Sequence, residues 1–123
     1  MLSSAKEILN EVAKSIDNNR WEVEVQGHTD NIPISGGNVH QTNWHLGAAR
    51  SVSVLQYLQS LANLNPQDFK ATSYGEFRPV AENSTPEGRR KNRRVEIYLK
   101  DKKTKSVDDN TDVVSIETSY TEQ

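Results

Sequence analysis

Apolar residues recur along the chain with two distinct periods. Ala5, Ile8, Leu9, Val12, Ala13 and Ile16 fall at helical spacing, with Lys6, Glu7, Asn10, Glu11 and Lys14 on the opposite side. Ser3 and Ser4 are candidate N-caps, and Glu7 follows Ser4 by three residues as in a capping box. This predicts an amphipathic helix of about four turns, closed by Asp17-Asn18-Asn19. Trp21, Val23, Val25 and Gly27 then alternate with Glu22, Glu24 and Gln26, the period of a strand with one buried face. The alternation stops at His28-Thr29-Asp30. Residues 31–42 contain Pro33, Ser35, Gly36, Gly37 and Asn38 and read as a loop. Loops of this length are more often functional than idle.

A second helical face follows, built from Leu46, Ala49, Val52, Leu55, Leu58, Leu61 and Ala62. Asn43 is its candidate N-cap and Asn63 its candidate left-handed terminator, with Asn65-Pro66 unable to continue it. Residues 69–77 read as a second strand. Thr85 followed by Pro86 predicts a short helix through about Lys91. Val95, Ile97 and Leu99 alternate with Arg94, Glu96 and Tyr98 in a third strand. The order α-β-α-β-α-β predicts an α/β (α+β) two-layer sandwich over residues 1–101. Residues 102–123 read as a polar, acidic, flexible tail, in which only Val113 to Ile116 have the composition to pair with a strand.

Composition sharpens this picture. Of the 41 hydrophobic residues, 36 lie in residues 1–100 and 5 in the last 23, so the core is thin and the tail contributes little to it. There is no cysteine, which excludes a disulfide scaffold, a thiol nucleophile and thiolate-held metals. No apolar stretch is long enough for a transmembrane helix, and residues 1–20 lack the apolar region of a signal peptide. The net charge of −2 conceals three blocks: −4 over residues 1–88, +7 over 89–105 and −5 over 106–123. A basic run before an acidic tail fits either nucleic-acid binding by residues 89–105 or a solvated strand edge. Only Tyr98 interrupts the run as an aromatic, which weighs against nucleic acid. His28, His40 and His45 share helical spacing with no carboxylate, so neither metal nor cofactor is expected. No Ser/His/Asp order, paired-carboxylate motif or phosphate loop suggests catalysis, and no catalytic residue is assigned.

Three segments stand out together: Gly27-His28-Thr29-Asp30, Asn43 through Arg50, and Asn83 through Ile97. Their spacing, with Tyr74-Gly75-Glu76 and Pro79 between, resembles the OmpA-like peptidoglycan-binding family. That family has the pattern G-x-T-D, N-x-x-L-x-x-x-R, Y-G-E-x-x-P and N-x-T-x-x-G-R-x-x-N-R-R-V-E-I. The resemblance covers roughly residues 3–100. Thr29 to Ile34 and the long loop to Asn43-Trp44 look most like its flagellar stator branch, MotB. The family's usual first strand is missing before Met1-Leu2, so an exposed sheet edge is expected.

The resemblance implies a periplasmic module of a Gram-negative-type envelope. It would bind the meso-diaminopimelate of the peptidoglycan stem peptide and anchor an envelope or stator protein. Asp30 would meet the ammonium and Arg50 the carboxylate of that residue. Asn43 and Arg93 follow as site residues, then Thr29 and Asn92. The chemistry suits a zwitterion, which needs one fixed anion and one fixed cation, and a guanidinium supplies a planar fork for a carboxylate. The implied partners are peptidoglycan, a membrane anchor or membrane partner supplied from outside these residues, and a second copy of the chain. Nucleic acid is not expected. A pure dimerisation domain is the further alternative. Trp21 and Trp44 are expected in the core or the pocket wall.

Overall fold

The computed structural model describes residues 3–16, 21–34, 42–61, 65–102 and 111–118. In these, α1 (Ser3–Lys14), β1 (Trp21–His28), α2 (Asn43–Leu61), β2 (Phe69–Gly75), α3 (Pro86–Asn92), β3 (Arg94–Asp101) and β4 (Thr111–Glu117) follow in chain order. The strands form one mixed sheet in the order β2-β1-β3-β4. β1 and β2 run parallel, joined by α2, while β3 is antiparallel to both β1 and β4. This is the expected α+β two-layer arrangement. No helix among the described residues is long and apolar enough to cross a membrane.

Period two decides which strand residues enter the core. Val23 and Val25 of β1 and Val95, Ile97 and Leu99 of β3 point to the helix side and are buried. They meet Leu9, Val12 and Ile16 from α1 and Val54 and Leu58 from α2 in one cluster. Each such aliphatic side chain contributes about 1.5–3 kcal/mol by leaving water.

The tail expectation is corrected by β4. Ile116 and Val114 pair across from Val95 and Ile97, and Ile116 is buried in the same core. Two apolar residues at period two, next to an unpaired strand edge, outweigh the polar composition around them. The outer edge of β3, which would otherwise be open, is therefore covered. The candidate terminator Asn63, His40 and residues 103–110 lie outside the described residues.

The buried face of α2 is also rotated from the expected one. Asn43, Leu46, Gly47, Arg50, Ser51, Val54 and Leu58 face inward, whereas Val52 and Leu61 are exposed. The cause is backbone contact. A Cβ on Gly27 would lie 1.8 Å from the carbonyl oxygen of Gly47, so strand and helix touch where both lack side chains. That contact fixes the rotation of α2, and it brings polar positions rather than a continuous apolar stripe against the sheet.

The opposite face of the sheet, expected to be wet, carries a half-buried polar network. The Glu24 carboxylate accepts from Thr72 Oγ1 at 3.0 Å, Gln26 Nε2 at 3.2 Å and Lys100 Nζ at 3.4 Å. Arg94 Nε donates to Glu96 Oε2, and the Tyr98 hydroxyl donates to Glu96 Oε1 at 2.7 Å. Burial alone would raise both carboxyls. Hydrogen bonds from these neighbours and the adjacent cations outweigh it and hold both below the usual range. His28 is buried beside them and stacks on Tyr74 at 5.5 Å, with the Arg78 guanidinium 4.1 Å above the Tyr74 ring. Burial, then the charges of Arg94 and Arg78, push the imidazole down to about 4 against the opposing pull of Glu96.

Two outcomes follow from these contacts. Gly27→Ala should destabilise the fold by at least about 2 kcal/mol in denaturant unfolding, since a rigid backbone carbonyl occupies the added methyl's place. An unchanged midpoint would show that α2 can lift off at no cost. For His28, the unfolded imidazole takes up a proton near pH 6.5 and the folded one only near 4. Its stabilisation is complete above 6.5 and is lost as the pH falls towards 4. His28→Phe should reduce the stability lost between pH 7 and 4 by up to roughly 3 kcal/mol. Below 4.5 the protonation of Glu24 and Glu96 would continue the loss in both proteins.

Candidate functional site

The sequence-predicted residues gather where β1 and β2 end, β3 begins and α2 starts. His28 pairs with Gly75 on one side and Arg94 on the other, so Thr29 and Asp30 leave the sheet between β2 and β3. Thr29 N–H donates to the Gly75 carbonyl at 2.9 Å, and the Thr29 hydroxyl donates to the Asp30 carbonyl at 2.8 Å. These bonds hold the Asp30 backbone in place. The end of parallel strands is also where open sheets collect ligands.

The Asp30 side chain is fixed on both oxygens. Oδ1 accepts from Ile32 N–H at 3.0 Å, which closes a tight turn, and Oδ2 accepts from Arg93 Nη1 at 2.5 Å. Asp30 is only 7% exposed. A carboxylate offers about four acceptor positions, and these two bonds use half of them. Arg93 reaches the site because it caps the C-terminal end of α3, its N–H bonded to the Arg89 carbonyl at 3.1 Å.

Asn43 does not cap α2. The Thr42 hydroxyl accepts the His45 N–H at 3.4 Å and takes that place. Asn43 is thereby released to turn inward. Its Nδ2 reaches the carbonyls of Asp30 at 3.2 Å and Ile32 at 3.1 Å, and Glu76 Oε1 at 3.2 Å. One amide thus ties the turn after β1 to the loop after β2. Arg50, also 7% exposed, lies seven residues further on the same inward face of α2. That is a rise of about 10 Å along the axis.

Asn92 plays another part. It is fully buried, and its Oδ1 accepts from the N–H groups of Val80 at 2.8 Å and Ala81 at 3.0 Å. Its Nδ2 donates to the Ala81 carbonyl at 3.0 Å and Asn83 Oδ1 at 2.8 Å. Both donors and both lone pairs are engaged, so the side chain braces loop 80–83 and has nothing left for a ligand. Trp21 packs at the margin of the core, but Trp44 stands half exposed beside the site. Glu76 is the site residue that sequence reasoning passed over. Its signal was its place in the quoted Tyr74-Gly75-Glu76 motif, and in the structure Gly75, with a φ of +56°, turns the chain so that Glu76 reaches Asn43. Among the described residues no three histidine, aspartate or glutamate side chains converge as metal ligands would.

The basic block does not form a continuous positive surface. Arg93 is bound to Asp30, Arg94 is buried against Glu96, Lys100 meets Glu24, and Lys102 lies 2.8 Å from Asp68. Of the seven cations of this block among the described residues, these four are engaged within the fold, while Arg90 and Lys91 on α3 are exposed.

A model of the OmpA family matches residues 2–93. The chain belongs to the OmpA family. Motility protein B of Bacillus subtilis (strain 168) is 43% identical over 95 residues, covering 77% of this chain and 35% of that protein. The peptidoglycan-binding protein ArfA of Mycobacterium bovis is 43% identical over 97 residues, covering 76% of this chain and 27% of that protein. The crystal structure of the C-terminal domain of Helicobacter pylori MotB matches with a TM-score of 0.72 at 28% identity. The match covers 80% of this chain and 75% of that one. The chain thus spans about a third or less of the length of these two curated relatives. The MotB resemblance read from the sequence agrees with these matches.

The bracing assigned to Asn92 is measurable. Asn92→Ala removes four part-buried hydrogen bonds and leaves N–H and C=O groups of loop 80–83 without their partner, at a cost of roughly 2–4 kcal/mol in unfolding free energy. A loss under about 0.5 kcal/mol would mean the loop does not depend on it.

Proposed function

We propose that this domain binds peptidoglycan without cleaving it, by holding the zwitterionic end of meso-diaminopimelate between Asp30 and Arg50. The observation that carries the reading is the pairing of a buried, fixed carboxylate after β1 with a buried guanidinium on the inward face of α2. Asp30 keeps about two acceptor positions for an ammonium. Arg50 supplies a planar fork for a carboxylate. Arg93 and Ile32 N–H hold the Asp30 carboxylate in one orientation, so little ordering remains for the ligand to impose. Thr29 and Asn43 fix the backbone that carries it. Asn92 acts one step back, through the loop it braces.

The name of one relative, a peptidoglycan-binding protein, supports binding of peptidoglycan, and that of another, motility protein B, supports a role in a motor. In the full protein the domain would tether an envelope or stator protein to the wall from the periplasmic side of a membrane. Membrane attachment would come from other residues or from a partner protein. A homodimer is compatible with that role. The nucleic-acid alternative is not favoured, because four of the cations it would use are engaged by carboxylates within the fold.

Sedimentation with purified peptidoglycan tests the reading. Asp30→Ala and Arg50→Ala should each weaken binding at least about tenfold, the worth of a charge-assisted hydrogen bond. Arg50→Lys should weaken it too, because an ammonium cannot reproduce the fork. Free meso-diaminopimelate should compete. Wild-type retention by Asp30→Ala and Arg50→Ala would sink the assignment.

A further inference from the structure

β4 lies past the residues that the family model matches, and it takes the outer edge of β3. Its register places Ile116 opposite Val95 and Glu117 opposite Arg94. One more bond follows beyond the strand. Thr118 N–H donates to the Arg93 carbonyl at 2.6 Å, and Thr118 is buried. β4 also touches α3, the helix that Arg93 closes. Arg93 stands at φ −80°, ψ 88°, between the helical and the extended conformations. Neither α3 nor β3 alone therefore fixes its backbone. Its N–H is held by the Arg89 carbonyl and its own carbonyl by Thr118. From that peptide the guanidinium reaches the Asp30 carboxylate. Two hydrogen bonds, joined by one arginine, thus connect the last strand to the site.

We infer that β4 is a strap that sets the affinity of the site for its ligand, with Thr118 as a positioning residue that acts through Arg93. This rests on the peptidoglycan reading above and adds a means of control to it. The strap is lightly attached. Among the described residues of β4, Ile116 is buried in the core, Val114 is half-buried against it and Val113 is exposed. The strand is paired on one side only. An edge strand with so few buried apolar groups opens locally, ahead of the rest of the sheet. When it opens, the Arg93 carbonyl loses its donor and the guanidinium loses its fixed origin. The Asp30 carboxylate is then less firmly oriented, and the ligand itself has to restore that order, which weakens binding. The linkage is reciprocal. If a docked β4 strengthens ligand binding, bound ligand holds β4 down by the same factor.

Amide hydrogen exchange and wall binding, measured on the whole chain, test this together. In the free protein the Thr118 amide should exchange at least about tenfold faster than that of Val25 in the central strand β1. A saturating stem tripeptide ending in meso-diaminopimelate should slow Thr118 exchange by about fivefold or more. Thr118→Pro deletes the donor to Arg93 and leaves Ile116 in place, so it should weaken sedimentation with peptidoglycan by a similar factor. Thr118→Ser keeps the N–H and should bind within about twofold of wild type. The exchange arm uses the unaltered protein, so it decides the matter even where a variant unfolds. Thr118 exchange that ignores the tripeptide, exchange no faster than that of Val25, or wild-type binding by folded Thr118→Pro would each overturn the strap. The Asp30 and Arg50 site would remain standing in all three cases. If the wild type binds neither the tripeptide nor peptidoglycan, the peptidoglycan reading fails and takes this inference with it.

Discussion

The backbone contact between Gly27 and Gly47 is the constraint on which the site depends. Helices normally stand off a sheet by the length of their side chains. Here the strand and the helix meet with none between them. The contact point lies three residues before Asp30 and midway between Asn43 and Arg50. It therefore sets both how close α2 comes to the end of β1 and which of its faces looks inward. A helix rotated to bury Val52 and Leu61 would have a better apolar stripe, but it would turn Asn43 and Arg50 away. The close contact makes the less hydrophobic orientation the stable one.

The same economy governs the charges. The run from Arg89 to Lys102 looks like a surface for a polyanion when counted along the chain. In the fold its members go to different places. Arg93 turns to Asp30 on one side of the sheet end, whereas Arg94, one residue on, turns to Glu96 on the polar face. Alternation along a strand separates neighbours in sequence by the thickness of the sheet. A charge run that enters a strand is thereby divided between two environments, and its net value predicts neither.

Much of this was legible beforehand, and the failures have physical reasons. Period and capping signals located α1, β1, α3 and β3 closely, because Thr85-Pro86 and the alternation about Val25 and Ile97 are local statements. The α2 face was misread because a glycine contact is tertiary and leaves no periodic mark. β4 was read as tail because Val114 and Ile116 gain their value only beside Val95 and Ile97. Asn43 was read as a cap, since Thr42 looked like the end of a loop. Asp30 and Arg50 were found by motif, and their burial could not have been inferred from composition. Asn92 shared the motif, but four local bonds explain its presence without a ligand.

The division between Asn92 and Arg93 shows how adjacent motif positions serve one site by different routes. Burying a carboxylate such as Asp30 is costly unless hydrogen bonds and an opposite charge surround it. Arg93 supplies the charge, yet its own place depends on where α3 ends. Asn92 fixes that end against loop 80–83. Asn43 does the equivalent work on the other side, joining the turn after β1 to Glu76 and setting Trp44 over Gly75. Each asparagine therefore couples the charged residues of the site to a neighbouring loop. Loss of either would loosen a loop and, with it, a charged group of the site.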